Sequence, residues 1–238
     1  LSRRFGEHLM VKPKYWLQKE KSVRDAFGLY MVADGMGGHL AGEVASRVAV
    51  EIITKSFGKW SEIQAPPDEI FGFPDESLSQ QGNYILGSIR LANRVIYEMA
   101  SGYEQYNGMG TTIVSLLVVS GLIVAANVGD SRMYLVRDDR IERMSKDHTI
   151  VAEYVEMGVM TEKEAARSSL RHILTRNLGS SENVDAEVFK IEPSNEDRFI
   201  LCSDGLTDLA TDEEILEVAL RETDPQRLCR KLIDLALE

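Results

Sequence analysis

The sequence predicts an α+β fold in which helices pack against an antiparallel β-sandwich. Short apolar runs rich in β-branched residues recur along the 238 residues, and turns of two or three residues connect several of them. Two long segments instead carry apolar residues at helical spacing. The pair of helices follows the first strand, and the remaining strands and helices come in groups, which favours a single α+β domain.

The predicted strands are short and follow one another closely enough to form antiparallel meanders. In the run 131–137, largely apolar residues fill the successive positions 133–136, so both faces of this strand are apolar. We therefore expect a sheet that is covered on both sides. The predicted strands cover residues 28–34, 111–119, 121–128, 131–137, 186–192 and 198–204.

Helices are predicted from apolar stripes and from capping residues. One stripe covers residues 44–53 and a second covers residues 85–99. The connection between them, residues 61–82, contains two prolines and a polar run, and we interpret it as a surface excursion within one domain. Later helices begin at the capping boxes Thr161-x-x-Glu164 and Thr211-x-x-Glu214, and at Asp224-Pro225.

Composition excludes several classes of protein. The chain has 27 Lys and Arg against 38 Asp and Glu, and the resulting net charge of −11 argues against a nucleic-acid binder. Its two cysteines, Cys202 and Cys229, lack zinc spacing and cannot form a disulfide framework. No apolar stretch has the length of a membrane span and no signal peptide is present, so we expect a reducing, cytoplasmic compartment.

Three predicted strands end in an aspartate. Asp34 and Asp204 each follow an apolar run and precede a glycine, and Asp130 follows the strand 121–128. Each Asp-Gly alone is most simply a turn signal. Three carboxylates at buried strand ends, however, need compensation, because an isolated buried charge is costly. A hard divalent cation would supply it for Asp34 and Asp204 at once.

The glycine-rich run 35–39 follows Asp34 directly. Three glycines in four positions let the backbone approach a ligand and turn into the helix that follows. A phosphate-binding loop is an alternative, but the lysine of that motif is absent. A backbone carbonyl facing a cation, or a close approach to a phosphate, fits this run better.

The run VADGMGGHLAGEVAS (32–46) resembles the signature of bacterial PPM-type, or type 2C, metal-dependent protein serine/threonine phosphatases. The segments MGTT, NVGDSRMY, SKDHT, LTRNLGS and LCSDGLTD follow in the order of that family. The resemblance covers nearly the whole chain. It implies a four-layer α-β-β-α arrangement, with pairs of antiparallel helices flanking the sandwich, in one phosphatase domain over residues 1–238.

The resemblance also implies a metal centre. Asp34 matches the carboxylate that bridges two catalytic ions, and Gly35 matches the residue that contributes a backbone carbonyl. Asp204 matches a second metal-site carboxylate, and with Asp130 it would hold a third, weaker ion. Mg²⁺ or Mn²⁺ suits such oxygen ligands. In the family a metal-bridging water attacks phosphoserine or phosphothreonine without a phospho-enzyme.

Two departures from the family pattern lie near the chain ends. Arg3 would clamp the phosphate and Glu7 would orient metal-bound water, but His8 stands where the family has aspartate. The family closes with an aspartate ligand and a final strand, whereas this sequence stops at Glu238 in a helical pattern. We therefore expect the sequence to be part of a longer polypeptide and to lack that strand as printed.

The histidines have less definite expected roles. Met36 occupies the position of a general acid in some eukaryotic members and cannot donate a proton, so a metal-bound water would protonate the leaving group. His39 is an alternative acid, although a role near the helix start is more natural. We interpret His148 as structural, bonding the loop that follows it, and His172 as a surface residue of the flap.

The expected activity is hydrolysis of phosphorylated proteins by a monomeric enzyme that opposes a bacterial Ser/Thr kinase. Residues 150–172 match the family's flap, and we expect this segment to select substrates. Two rival functions remain at this point. One is a non-catalytic regulatory or binding module on the same fold, and the other is a hydrolase of small phosphate esters.

Overall fold

The computed structural model describes residues 27–119 and 121–237, apart from the side chains of Phe27 and His39. Its strands are β1 (Phe27–Val32), β2 (Gly35–Met36), β3 (Gly110–Thr111), β4 (Ile113–Val119), β5 (Leu122–Val128), β6 (Arg132–Arg137), β7 (Arg140–Arg143), β8 (Glu187–Ile191) and β9 (Arg198–Cys202). One antiparallel sheet has the order β1-β4-β5-β8 and the other has the order β7-β6-β9, while β2 and β3 form a short ladder.

The helices are α1 (His39–Ile63), α2 (Gln80–Gly102), α3 (Ile150–Glu156), α4 (Glu162–Arg167), α5 (Asp204–Thr207), α6 (Asp212–Arg221) and α7 (Pro225–Leu235). Both predicted capping boxes are confirmed. The side chains of Thr161 and Thr211 each accept a hydrogen bond from the backbone N–H three residues later, and the glutamate at that position accepts one from the backbone N–H of the threonine. Asp224 caps α7 and Pro225 occupies its first turn.

Within the described ranges, no helix has the length and hydropathy of a membrane crossing.

The two sheets face each other across an apolar layer. Val114, Leu116 and Ala125 from the first sheet pack in one buried cluster with Met133 from the second. The four residues 133–136 of β6 are all buried. The predicted cover on both faces of this strand is therefore confirmed.

Helices cover the outer face of each sheet. On one side, Ala49 of α1 and Ile89 of α2 are fully buried in a cluster that includes Leu117 of β4. On the other side, Ile215 of α6 packs in a cluster with Tyr134 of β6. The resulting layers are α-β-β-α, which confirms the predicted fold class. The three aspartates lie just beyond the ends of strands β1, β5 and β9.

Strand β7 is absent from the predictions. It pairs with β6 through a two-residue turn in which Asp138 and Asp139 have φ of 50° and 56°. Positive φ at both central residues is typical of tight hairpins. Its residues Arg140, Glu142 and Arg143 are exposed and charged, so no apolar run marks this strand in the sequence.

The predicted surface excursion 61–82 is shorter than expected. Helix α1 continues through Ile63 and α2 already begins at Gln80. The connection is mostly exposed, yet Ala65 and Ile70 are buried in the core shared by α1 and α2. It is therefore anchored to the helix pair at two apolar points.

Candidate active site

Asp34 lies just beyond the end of β1, where threonines hold its backbone. The Asp34 N–H donates to Thr112 Oγ1 at 3.0 Å, and the Thr112 N–H donates to the Asp34 carbonyl at 2.9 Å. Thr111 Oγ1 also donates to this carbonyl, at 2.8 Å. Because the two threonines precede β4, the partner of β1, the pairing of these strands fixes where the Asp34 side chain lies.

Asp204 follows β9 and begins the short helix α5. Its carboxyl group lies within hydrogen-bonding distance of the Asp34 carboxyl. Burial, and then the charge of Asp204, raise the pKa of Asp34 to about 7. Two carboxylates from opposite sheets therefore meet here, and in the absence of a cation Asp34 stays protonated over much of the acidic range.

Asp130 lies beyond the end of β5, where a glycine and a histidine determine the path of the chain. Gly129 has a φ of 108°, and a Cβ there would lie 2.6 Å from Thr112 Cγ2. Its N–H donates to His148 Nδ1 at 3.0 Å, and the His148 N–H donates to its carbonyl at 3.0 Å. Burial, with the charges of Asp204 and Asp147, raises the pKa of Asp130 to about 6.

These carboxylates fit a divalent-cation site. Asp34, Asp130 and Asp204 are all half-buried, and each of the first two has a pKa raised by burial and by its acidic neighbours. Within the described ranges, no Lys or Arg forms an ion pair with any of them. Oxygen ligands with uncompensated negative charge are what Mg²⁺ and Mn²⁺ prefer. The predicted convergence of the three aspartates is thus found in the structure.

Gly35 is required by close packing. It lies beside Asp34 at the start of β2, and a Cβ there would lie 1.9 Å from the Gly42 carbonyl oxygen of α1. Gly37 and Gly38 have φ of 102° and 88°, and Gly38 is the N-cap of α1. The glycine run therefore turns the chain from Asp34 into the helix, as predicted.

A cleft of about 610 Å³ extends from the carboxylates beneath the flap segment, residues 150–172. Asp130 and Asp204 line one end of it. Arg132 lines it too, and its guanidinium bonds the Asp147 carboxylate through Nε and Nη2. The ion pair between Lys146 and Glu156 links the chain just before the flap segment to the end of helix α3. The cleft is thus lined by both charged and apolar side chains and reaches two carboxylates of the candidate metal centre.

The flap segment has a closed base. The Ile150 N–H donates to the Ile173 carbonyl at 3.0 Å, and Thr149 forms an isolated bridge with Leu174. The two predicted short helices are α3 and α4, and Gly158 between them has a φ of 71°. The segment therefore leaves and returns to the body of the domain at one place beside Asp130.

The interpretation of His148 as structural is confirmed, but the predicted partner of its side chain is wrong. The His148 side chain bonds Gly129, which precedes Asp130, and not the loop that follows the histidine. His148 is buried, and burial, together with the charges of Arg176 and Lys146, lowers its pKa to about 4. The ring is therefore neutral, and Nδ1 is the acceptor.

Replacing His148 by Asn should remove a contribution to stability that grows as the pH rises from about 4 to 6.5. The unfolded chain takes up this proton near pH 6.5, but the folded chain does so only near pH 4. The stability that depends on neutral His148 is complete above pH 6.5 and falls as the pH drops towards 4. Asparagine keeps an acceptor for the Gly129 N–H and does not titrate. Urea unfolding of both proteins without metal at about pH 4.5 and 7.5 measures this difference. On acidification the wild type should lose more stability, or gain less, than His148→Asn, and equal changes in the two proteins would contradict the prediction.

Other predicted residues lie outside the described part of the chain. Arg3, Glu7 and His8 precede residue 27, and the side chain of His39 is also outside the description. Conversely, Thr111, Thr112, His172 and Asp208 contribute to the site, although sequence reasoning gave them no such role. Asp208 follows Asp204 by four residues, about one helical turn. This spacing is a sequence signal that could have placed both carboxylates on the same face of a helix.

The chain is similar to known protein phosphatases in both sequence and structure. The sequence model of the protein phosphatase 2C family matches residues 18–232. The serine/threonine phosphatase stp of Listeria innocua is 34% identical over 197 residues, which are 82% of this chain and 73% of that protein. The S. agalactiae serine/threonine phosphatase structure has a TM-score of 0.75 at 32% identity and covers 92% of this chain and 88% of that one. A structure of the PstP catalytic domain in complex with two manganese ions has a TM-score of 0.68 at 28% identity, over 95% and 89% of the two chains.

Proposed function

Because this chain belongs to the protein phosphatase 2C family, we propose that Asp34, Asp130 and Asp204 form the metal centre with which it hydrolyses phosphoserine and phosphothreonine on proteins. The observation that carries the proposal is the meeting of the Asp34 and Asp204 carboxyls at the ends of strands from opposite sheets. Two half-buried carboxylates in contact repel each other unless a proton or a cation lies between them.

Mg²⁺ or Mn²⁺ is the cofactor, in keeping with the family and with the manganese-bound PstP relative. Asp34 and Asp204 would hold two catalytic ions together with the Gly35 carbonyl, and Asp130 would join Asp204 at a third, weaker position. When bound, such ions supply charge that offsets the phosphate and lower the pKa of coordinated water.

The remaining residues orient these ligands. Thr111 and Thr112 hold the backbone of Asp34 by hydrogen bonds of 2.8 to 3.0 Å. His148 holds Gly129 and thereby places Asp130. Arg3 as a phosphate clamp and Glu7 as an orienting group complete the proposed set. This orienting framework fixes the carboxylates before substrate arrives, which is the protein's main contribution to such a reaction.

The flap segment is proposed to select the phosphoprotein. It forms one wall of the cleft that leads to Asp130 and Asp204, so residues flanking the phosphorylated side chain would contact it. Replacing residues 150–171 by those of another family member's flap, with His172 kept, should change the order of preference among phosphopeptides and leave p-nitrophenyl phosphate turnover within about twofold. An unchanged peptide preference would contradict this role.

We also propose the setting of the enzyme. A bacterial Ser/Thr kinase would supply the phosphorylated proteins, since phosphomonoester hydrolysis consumes what such a kinase produces. The enzyme would act as a monomer in the cytoplasm. Reducing conditions suit its two free thiols, of which Cys202 is buried and Cys229 is exposed.

The test is turnover of a phosphothreonine peptide and of p-nitrophenyl phosphate with EDTA, Mg²⁺ or Mn²⁺. We expect hydrolysis of both that requires the metal and ends with EDTA. No turnover with any metal would favour the non-catalytic module. Turnover of small esters alone, with no activity on phosphorylated peptides or proteins, would favour the small-ester hydrolase.

A further inference from the structure

A histidine and two aspartates meet beside the carboxylate pair. His172 Nδ1 lies 4.0 Å from Asp204 Oδ2 and 3.8 Å from Asp208 Oδ2, and one ligand atom from each residue lies within 4.8 Å of the others. Asp208 follows Asp204 by one turn, because the Asp208 N–H donates to the Asp204 carbonyl at 2.8 Å. His172 comes from a different part of the chain, the end of the flap segment.

The separations are too long for hydrogen bonds, which require about 2.7–3.2 Å. Within the described residues, no hydrogen bond to a protein atom satisfies the His172 ring or the Asp208 carboxylate. Octahedral ligand atoms bound at about 2.1 Å to a cation are separated by about 3 Å when adjacent and by about 4.2 Å when opposite. The observed separations of 3.8 and 4.0 Å lie between these two values, so the three groups are close enough for one cation to draw them together as ligands. Each side chain is 38–44% exposed, so an ion can reach them.

We infer that His172 supplies a nitrogen ligand to a cation that Asp204 and Asp208 also bind, and thereby ties the flap segment to the metal centre. This inference rests on the proposed function, because that function supplies the divalent cation. It adds a nitrogen donor to a centre whose proposed ligands are otherwise oxygens.

His172 lies at the base of the flap segment, where a bound cation would restrain that segment. The histidine immediately precedes Ile173, whose carbonyl accepts the Ile150 N–H at the base of the flap segment. It also lines the cleft, as do Asp204 and Asp208. A cation held by His172 and by α5 would therefore join the base of the flap segment to the end of β9.

The nitrogen ligand predicts a preference among metals. Mg²⁺ favours all-oxygen coordination, whereas imidazole binds transition metals more strongly. Removing the ring should weaken Mn²⁺ binding at this position and change Mg²⁺ binding less. Changing even an outer partner of a ligand costs about 10–100-fold in metal affinity, so loss of the ligand itself should cost at least about tenfold.

Pulsed electron paramagnetic resonance of the Mn²⁺-loaded chain provides the test. We expect a ¹⁴N coupling from a directly bound imidazole in the unaltered chain, and its replacement by a ¹⁵N coupling when histidine is ¹⁵N-labelled. The coupling should disappear in His172→Asn, and Mn²⁺ titration of that variant should show at least about tenfold weaker binding at one site. Asp208→Asn should weaken the same site.

His39→Asn is the matched control and should keep the nitrogen coupling. Absence of the coupling in the unaltered chain, or its survival in His172→Asn, would overturn the inference. So would its loss in His39→Asn alone. Phosphopeptide turnover measured on the same samples separates the two claims: turnover without nitrogen coupling overturns only the His172 site, whereas absence of both Mn²⁺ binding and turnover overturns the proposed function too.

Discussion

Replacing Asp34 by Asn should abolish Mn²⁺-dependent hydrolysis and at the same time stabilise the metal-free protein. The amide cannot neutralise a cation as the carboxylate does, so turnover should fall by at least about a thousandfold. In the metal-free protein, however, Asn removes a negative charge that lies against Asp204. We expect the same pair of effects for Asp204→Asn.

The gain in stability should depend on pH. The pKa of Asp34 is raised to about 7 in the folded state from about 3.8, so the folded protein binds more protons between these values. Stability of the metal-free protein therefore falls as the pH rises from about 4 to 7. Asp34→Asn removes this fall, and near pH 8 its melting temperature should exceed that of the wild type by at least about 2 °C.

Thermal unfolding at about pH 5 and 8, with EDTA and with Mn²⁺, measures this effect. Asp139→Asn, in the exposed turn between β6 and β7, is the control and should change neither turnover nor melting temperature. Added Mn²⁺ should stabilise the wild type and not Asp34→Asn, because a ligand that binds only the folded state raises its stability. A metal-free Asp34→Asn that melts below the wild type at both pH values would contradict the proposed repulsion.

Gly35→Ala should be the most destabilising single-methyl change considered for this chain. The added Cβ would lie 1.9 Å from the Gly42 carbonyl oxygen and 2.3 Å from its carbonyl carbon. Both are backbone atoms of helix α1, which cannot move aside as a side-chain end can. We expect a loss of about 3 kcal/mol or more in the free energy of unfolding, and loss of turnover because Asp34 is adjacent.

Gly58→Ala is the matched control for this change. Gly58 lies within α1, and no atom lies within 4 Å of a Cβ built there. Alanine should stabilise this helix interior by about 0.5–1 kcal/mol. Urea unfolding followed by circular dichroism measures both variants. A Gly35→Ala protein with the unfolding free energy of the wild type would show that β2 and α1 are less closely packed than described.

Both predictions concern how the residues of the site affect the stability of the folded protein. The contact between Asp34 and Asp204 and the burial of Asp130 are unfavourable for the fold when no cation is present. Hydrogen bonds with Thr111 and Thr112 nevertheless hold the backbone of Asp34 in place, and the bond between Gly129 and His148 holds the chain just before Asp130. The metal-free domain therefore keeps ligands in position and loses stability by doing so, which is common at functional sites.

Local patterns in the sequence determined most of the secondary structure and the identity of the central ligands. Apolar spacing predicted α1, α2 and the sandwich strands, and capping residues predicted α4, α6 and α7 because these signals act within one or two turns. Apolar runs ending in Asp34, Asp130 and Asp204 marked the carboxylates. Strand β7 was not predicted because its residues are mostly exposed and charged. It forms through pairing with β6 and not through burial of its own side chains.

Only the tertiary structure decided which groups meet. His148 bonds a residue before Asp130, His172 approaches Asp204 and Asp208, and Gly35 lies against Gly42. No local pattern contains these contacts, since each depends on how sheets, helices and the flap segment pack. The sequence by itself therefore determined the family, the fold class and the carboxylates. Their spacing, their raised pKa values and the histidine beside them arise only when distant strand ends are brought together.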